Sequence, residues 1–222
     1  DRKVTKRCVM TIPYNAKPFS NRSYIRDAFK EKGVDVDKEE LTQCVKAVRS
    51  AMNVVVPGAM SVMKWIEQEI ARAIKSGADE IRWTTPSGFN VRQRLMKYKS
   101  TIIQTQLMGR CEIHVAGAET GVDLSHHKNA TAPNLIHSLD ASLLHLATTS
   151  TNFPIALIHD SVLCRATDMC TLSSLVRKTY MHLFAEHEPL TDFALAIGAE
   201  EQPPIIGDLK PEAVIDSQYF FC

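Results

Sequence analysis

No run of eighteen apolar residues occurs in the 222-residue chain, so no membrane-spanning helix is expected. The first ten residues hold four cations, Arg2, Lys3, Lys6 and Arg7, with no apolar segment behind them, and no signal peptide is expected either. The six cysteines (Cys8, Cys44, Cys111, Cys164, Cys170 and Cys222) include no CxxC pair. That speaks for reduced thiols in a cytosolic setting and against a zinc site or a disulfide framework. Internal repeats and low-complexity tracts are absent. Aromatics make up only 7% of the chain, yet 45% of it is hydrophobic, enough for one large or two small globular units.

The net charge of +1 conceals an asymmetry. Residues 1–30 carry eight Lys/Arg against two Asp/Glu, whereas residues 186–222 carry one Lys against eight Asp/Glu. A basic head suggests a polyanionic partner; the acidic, Pro-rich tail suggests a solvated or inward-folded closing segment. The chain opens on Asp1 with a helical pattern already under way, which reads as a fragment with an upstream part missing.

Helical periodicity predicts a first helix ended or kinked by Pro13, with Asn15 suited to a left-handed turn. Further helices are expected at about 21–31, at 38–55 capped by Asp37, and from Ala59 to Lys75. IRWTT, the turn residues Pro86, Ser87 and Gly88, and FNVRQ read as a β-hairpin, and KSTIIQTQLM with CEIHV as a second one joined near Gly109. Residues 116–132 read as loop, including an exposed His126-His127 pair. Pro133-Asn134 is expected to open a helix to Thr148, on which Asp140 reads as a structural hydrogen-bonder. Ile155–Ile158 and Val162–Ala166 follow as a strand pair, then a helix from Asp168 to about His187, with Cys164 and Cys170 in the core.

Two elements carry chemistry. Arg2, Lys6, Met10 and Tyr14 recur every fourth residue. On an α-helix that step overshoots one turn by about 40°, giving a slowly winding stripe of two cations, a thioether and an aromatic. Paired cations suit phosphate, and an aromatic beyond them suits a base or sugar; the competing reading is an amphipathic surface helix with a basic face. In IALIHDSVLC, an apolar strand delivers His159 and Asp160 to a tight turn. A carboxylate buried beside Ile158 and Val162 needs a cation, and a divalent metal is one way to supply it. An Asp that simply makes a turn is the alternative. Across the two hairpins, Arg92, Arg94, Lys97, Lys99 and Arg110 can reach phosphates or base edges, though charged strand faces are more often solvated.

Taken together, R-x3-K-x7-Y followed far downstream by an apolar strand with H-D at its turn resembles motifs B and C of the single-subunit polymerases. DRKVTKRCVMTIPYNAKPF, the TPSGF hairpin, APNLIHSLDASLL, ALIHDS and an aromatic C-terminus look like the bacteriophage T7-type RNA polymerases, in that order. The resemblance covers nearly the whole chain, and its words point to a phage enzyme, of marine-podovirus kind, more than to a mitochondrial relative. It implies an α/β fragment of a right-hand polymerase fold. Residues 1–96 would hold the fingers helices and the start of the hairpin region, 97–130 a promoter-specificity hairpin and loop, and 131–222 a palm part with motif C, a short antiparallel strand pair and the tail.

The resemblance also implies roles. Arg2 and Lys6 match the cations that hold the incoming triphosphate, Lys6 being the proposed general acid for pyrophosphate. Tyr14 matches the residue that packs on the nascent pair and monitors the ribose 2′-OH. Met10 and Phe19 match positions beside the template, and His137 one facing the minor-groove side of the primer–template end. His159 and Asp160 match motif C, with Asp160 one of two aspartates that bind catalytic Mg2+. Within the hairpin, Gln104, Gln106 and Arg110 are the candidates for base readout, the two glutamines sharing one strand face.

Two departures from the pattern matter. Asn15 stands where the family usually has Gly. The second metal-binding aspartate belongs to a motif upstream of Asp1, and Asp1 cannot replace it. Two ions about 3.5–4 Å apart need carboxylates from both segments, so the fragment alone is expected to be inactive. The expected function is DNA-templated RNA synthesis by a nucleotidyltransferase, with promoter and template DNA, nascent RNA and rNTPs as partners. No membrane partner is expected, the full-length form would be monomeric, and the setting would be the cytoplasm of an infected bacterium or, alternatively, a mitochondrion. The rivals are an A-family DNA polymerase fragment, disfavoured by Ser161 where that family has Glu after H-D, and a non-catalytic nucleic-acid-binding module.

Overall fold

A computed structural model of the chain describes residues 2–106, 111–204 and 207–220. Helix α1 (Arg2–Thr11) runs into a 3-10 turn over Ile12–Tyr14, where Pro13 ends the α-helical ladder. Val4, Cys8 and Ile12 are buried at a spacing of four, on the wall opposite the stripe of Arg2, Lys6, Met10 and Tyr14. They pack with Ile25 of α2 (Pro18–Lys30) and with Leu41, Val45 and Met52 of α3 (Lys38–Val55). Fully burying a side chain such as Ile12 or Ile25 contributes about 1.5–3 kcal/mol, so this cluster fixes which wall of α1 faces outward. The start of α3 is set by Asp37, whose Oδ1 accepts from Glu39 N and Glu40 N at 2.7 and 2.8 Å, while Glu40 accepts back from Asp37 N.

A second cluster joins α4 (Pro57–Lys75) to the first hairpin and to two later helices. Val62, Trp65, Ile66 and Ile70 of α4 pack with Ile81 and Trp83 of β1 (Ile81–Thr84), Ala132 and Leu135 of α5 (Leu124–Thr149), and Phe193 of α7 (Pro189–Ile197). β1 pairs antiparallel with β2 (Asn90–Gln93) as the sequence predicts, the turn between them using Gly88 at a φ of +81°. β3 (Met96–Thr105) pairs antiparallel with β4 (Cys111–Val122), with irregularities between Lys97 and Ser100. β5 (Ile155–Ile158) pairs with β6 (Ser161–Cys164), and α6 (Met169–Glu186) packs behind them through Leu172 and Val176. The described residues thus form a mixed helical and β chain with three small antiparallel sheets. No helix among them is long and apolar enough to cross a membrane.

The expected loop at 116–132 does not exist. β4 continues to Val122 and α5 begins at Leu124, nine residues before the Pro expected to open it. Glycines and polar residues suggested a loop, but Gly117 lies where an added Cβ would come within 3.1 Å of the Lys99 carbonyl oxygen. Glycine serves close strand approach there. Asp123 starts α5 by accepting from His126 N at 2.9 Å, and Pro133 is carried inside the helix, where it cannot donate to the Asn129 carbonyl. The acidic closing stretch also contains helix α7 and a 3-10 turn over Pro211–Val214. Cys170 is exposed and not in the core as expected, while Cys164 is half-buried against the cluster of Ala147, Leu172 and Val176.

Candidate functional site

The end of α1 and the middle of α5 meet through two aromatic rings. Tyr14 and His137 stack with centroids 5.2 Å apart and planes 28° from parallel. The turn behind Tyr14 is left-handed at Asn15, φ +65°, as expected, and Asn15 N donates to Ile12 O at 2.9 Å. Arg2, Lys6 and Met10 are exposed along the same wall of α1, Met10 by 59%, and Phe19 is 80% exposed on the first turn of α2. Four of the residues singled out from the sequence therefore face solvent from one stripe, and a fifth, His137, closes its far end.

Asp160 lies at the apex of the β5–β6 hairpin. Ile158 pairs with Ser161, which leaves His159 and Asp160 as a two-residue turn. His159 has a φ of +55°, a conformation in which an L-residue with a Cβ is strained by about 1–2 kcal/mol. Glycine would relieve that strain. Asp160 is exposed, and its Oδ1 accepts a long 3.4 Å bond from Ser161 Oγ. The expectation of a carboxylate buried among aliphatics is thus wrong: Leu157, Ile158 and Leu163 are themselves 38%, 56% and 54% exposed. A two-stranded ribbon backed by one helix has nothing among the described residues to cover them on its other face.

Asp140 is the residue that sequence reasoning undervalued. It lies one helical turn after His137 on α5, and its carboxyl pKa is pushed up by the packing around it and further by the Asp160 carboxylate, against the opposing pull of His137. Tyr14 stacks on the same His137. Among the described residues Asp140 makes no structural hydrogen bond of the kind expected for it. The i, i+3 spacing of His137 and Asp140 on one helix face was the available signal. Among the described residues no group of three His, Cys, Asp or Glu side chains is arranged to hold a metal ion, so Asp160 stands as a single carboxylate at the exposed turn.

His137 also borders a groove of about 530 Å³ between the β1–β2 hairpin and one face of α5, lined by Ser87, Arg92, Asn134, Ser142 and His145 among others. Ser87 Oγ donates to Ser142 Oγ at 3.2 Å and lies 3.5 Å from His145 Nδ1. The cations expected to reach phosphate here are partly engaged: Arg92 pairs with Glu80, and Arg94 binds Glu119 through both terminal nitrogens at 2.6 and 2.8 Å. Those guanidinium groups hold both carboxyls below their ordinary pKa.

In the β3–β4 hairpin, Gln104 Nε2 donates to Glu112 Oε1 at 3.3 Å. Gln106 is exposed just past the end of β3, so the two glutamines do not share one strand face as expected. Arg110 lies outside the described residues. At the root of this hairpin His127, expected to be exposed, is fully buried. Leu95 N donates to its Nε2 at 3.1 Å, and the side-chain amide of Gln93 lies 3.2 Å from its Nδ1, 2.8 Å from Thr131 Oγ1 and 2.6 Å from Asn134 Nδ2. Burial first, then neighbouring His126, lowers the His127 pKa.

Comparison with known proteins gives a consistent family. Residues 1–197 match the model of the DNA-dependent RNA polymerase family. The whole chain aligns at 28% identity with 28% of the DNA-directed RNA polymerase of Pseudomonas phage phiKMV. It aligns at 30% identity with 69% of DNA-directed RNA polymerase 2A of Nicotiana tabacum. It also aligns at 30% with 23% of the mitochondrial DNA-directed RNA polymerase 1 of Nicotiana sylvestris. The chain thus spans little more than a quarter of the phage relative it matches.

Proposed function

The chain belongs to the DNA-dependent RNA polymerase family, and on that premise we propose that it supplies the nucleotide-facing helix and the metal-binding turn of a single-subunit, T7-type RNA polymerase. Residues 1–96 then correspond to fingers, 97–130 to a promoter-specificity hairpin, and 131–222 to a palm part. The reaction is addition of a ribonucleoside monophosphate to an RNA 3′-OH, directed by a DNA template, with release of pyrophosphate. The observation that carries the reading is the stacking of Tyr14 on His137, because it sets the end of the cationic stripe against α5.

Each side chain has a task set by its chemistry. Arg2 and Lys6 bind the triphosphate, and Lys6 stabilises or protonates the departing pyrophosphate as its charge grows. Tyr14 packs against the nascent base pair and places its hydroxyl at the ribose 2′-OH. His137, His159, Met10 and Phe19 line the path of the primer–template, while Gln106 and Arg110 are assigned to promoter readout. Asp160 holds Mg2+: its exposed carboxylate, whose field already raises the pKa of Asp140, suits a cation. When bound, a pair of such ions supplies Lewis-acid stabilisation of the reacting phosphate. A second carboxylate must join Asp160 for such a pair of ions to be held. The partners are promoter and template DNA, RNA and rNTPs, the full-length enzyme acting as a monomer in an infected bacterial cytoplasm or, alternatively, a mitochondrion.

Primer extension by the longer polymerase containing this chain separates the readings. Template-directed incorporation with rNTPs preferred over dNTPs supports RNA synthesis. Preference for dNTPs indicates a DNA polymerase, and DNA retention without incorporation indicates a binding module.

A further inference from the structure

Asn15 does more than permit a left-handed turn. Glycine alone would satisfy a φ of +65° without strain, whereas the side chain present reaches across to another helix. Asn15 Nδ2 lies 3.3 Å from both the Lys128 carbonyl oxygen and Asn129 Oδ1, each able to accept from it. On its other side, Lys17 Nζ donates to Asn15 Oδ1 at 2.9 Å. The contacts on α5 fall just before Pro133, where the helix lacks one backbone donor. Lys128 in turn pairs with Glu67 of α4 at 3.0 Å, which ties that part of α5 to the main core. Tyr14 immediately precedes this anchored residue, and its ring is the one stacked on His137.

We propose that Asn15 is a positioning residue that latches the Tyr14 turn to α5, holding the Tyr14 ring over His137 and thereby setting how tightly and how selectively the next nucleotide is held. The inference rests on the reading of Tyr14 as the nucleotide-facing residue. Both α5 contacts are part-buried and long, so the latch is worth one to two neutral hydrogen bonds. Loss of it leaves Tyr14 tethered only through the backbone and free to leave the stack. The ground state for nucleotide binding is then spread over more ring positions, which raises KM before it touches the chemical step.

The test is Asn15→Gly, which removes the latch without adding backbone strain, in the longer polymerase. The KM for the templated rNTP should rise about three- to tenfold, the scale of one or two such hydrogen bonds, with kcat changed less than about twofold. The preference for rNTP over dNTP should fall in parallel. Asn129→Ala should reproduce part of the effect, and the double variant should add little to Asn15→Gly, since the two share a contact. In the 222-residue chain, the ring-current shift of the His137 imidazole protons caused by Tyr14 should collapse in Asn15→Gly while the thermal midpoint stays close to that of the parent. Unchanged KM, discrimination and ring-current shift would overturn the latch, as would strict additivity of the two variants. If Tyr14→Phe alters discrimination while Asn15→Gly does not, only the latch fails; if the ring-current shift collapses but neither variant alters discrimination, the reading of Tyr14 fails and the latch's role in selectivity falls with it.

Discussion

Replacing His127 tests the joint from which the β3–β4 hairpin projects. This imidazole is fully buried and receives the Leu95 N–H at Nε2, at the link between β2 and β3, while Asp123 N donates back to Leu95 O at 2.9 Å. His127→Ala leaves the Leu95 N–H and the Gln93 amide short of a partner and opens a cavity. Each orphaned group costs about 1–3 kcal/mol, so a loss of about 2–5 kcal/mol is expected, a large share of a typical domain's stability. The same residue gives a pH dependence of known sign. Its folded pKa lies below the ordinary 6.5, with His126 adding to the effect of burial and Asp123 opposing it. Below pH 6.5 the unfolded chain therefore binds more protons than the folded one. The contribution is fully present above the unfolded value and is lost as pH falls through the folded one. Urea unfolding followed by the fluorescence of buried Trp65 and Trp83 should show a midpoint that drops on acidification, with a smaller drop in His127→Gln. Equal pH dependence in parent and His127→Gln, or a cost below about 1 kcal/mol for His127→Ala, would refute this account of the joint.

Three further outcomes concern the proposed site in the longer polymerase. Lys6→Ala should slow single-turnover incorporation by about 10²-fold or more with little change in template affinity, as befits a group acting on the leaving pyrophosphate; a normal rate with weakened DNA binding would leave only a basic surface helix. Tyr14→Phe should relax rNTP-over-dNTP discrimination by about tenfold, the worth of one lost sugar contact, and competition between the two nucleotides measures it. Substituting Gln106 should change promoter choice while elongation on a preformed primer–template continues, and equal losses on both substrates would assign the hairpin a structural role.

What could be read from the sequence came from local rules. The capping box at Asp37, the break at Pro13, the left-handed Asn15 and the β1–β2 turn at Gly88 each depend on a few neighbouring residues, and each is found as expected. The stripe of Arg2, Lys6, Met10 and Tyr14 was legible from its spacing of four, and Val4, Cys8 and Ile12 are buried with the same period on the opposite wall. Long-range pairing was not legible. Gly117 and Gly121 signalled a loop although Gly121 pairs with Lys97 and Gly117 passes close to the Lys99 carbonyl, and Pro133 signalled a helix start although α5 carries it through. The buried His127 network and the effect of the Asp160 carboxylate on Asp140 join residues far apart in the chain, beyond any local pattern.

Asp160→Asn in the longer polymerase bears most directly on the central claim, that the exposed turn of the β5–β6 hairpin holds the ion acting on the reacting phosphate. The substitution keeps the size and hydrogen-bonding shape of the side chain while removing its charge. Single-turnover incorporation of one rNTP on a preformed primer–template should fall by at least about 10³-fold, with the affinity for primer–template within about twofold of the parent. Near-normal incorporation by Asp160→Asn would contradict the account.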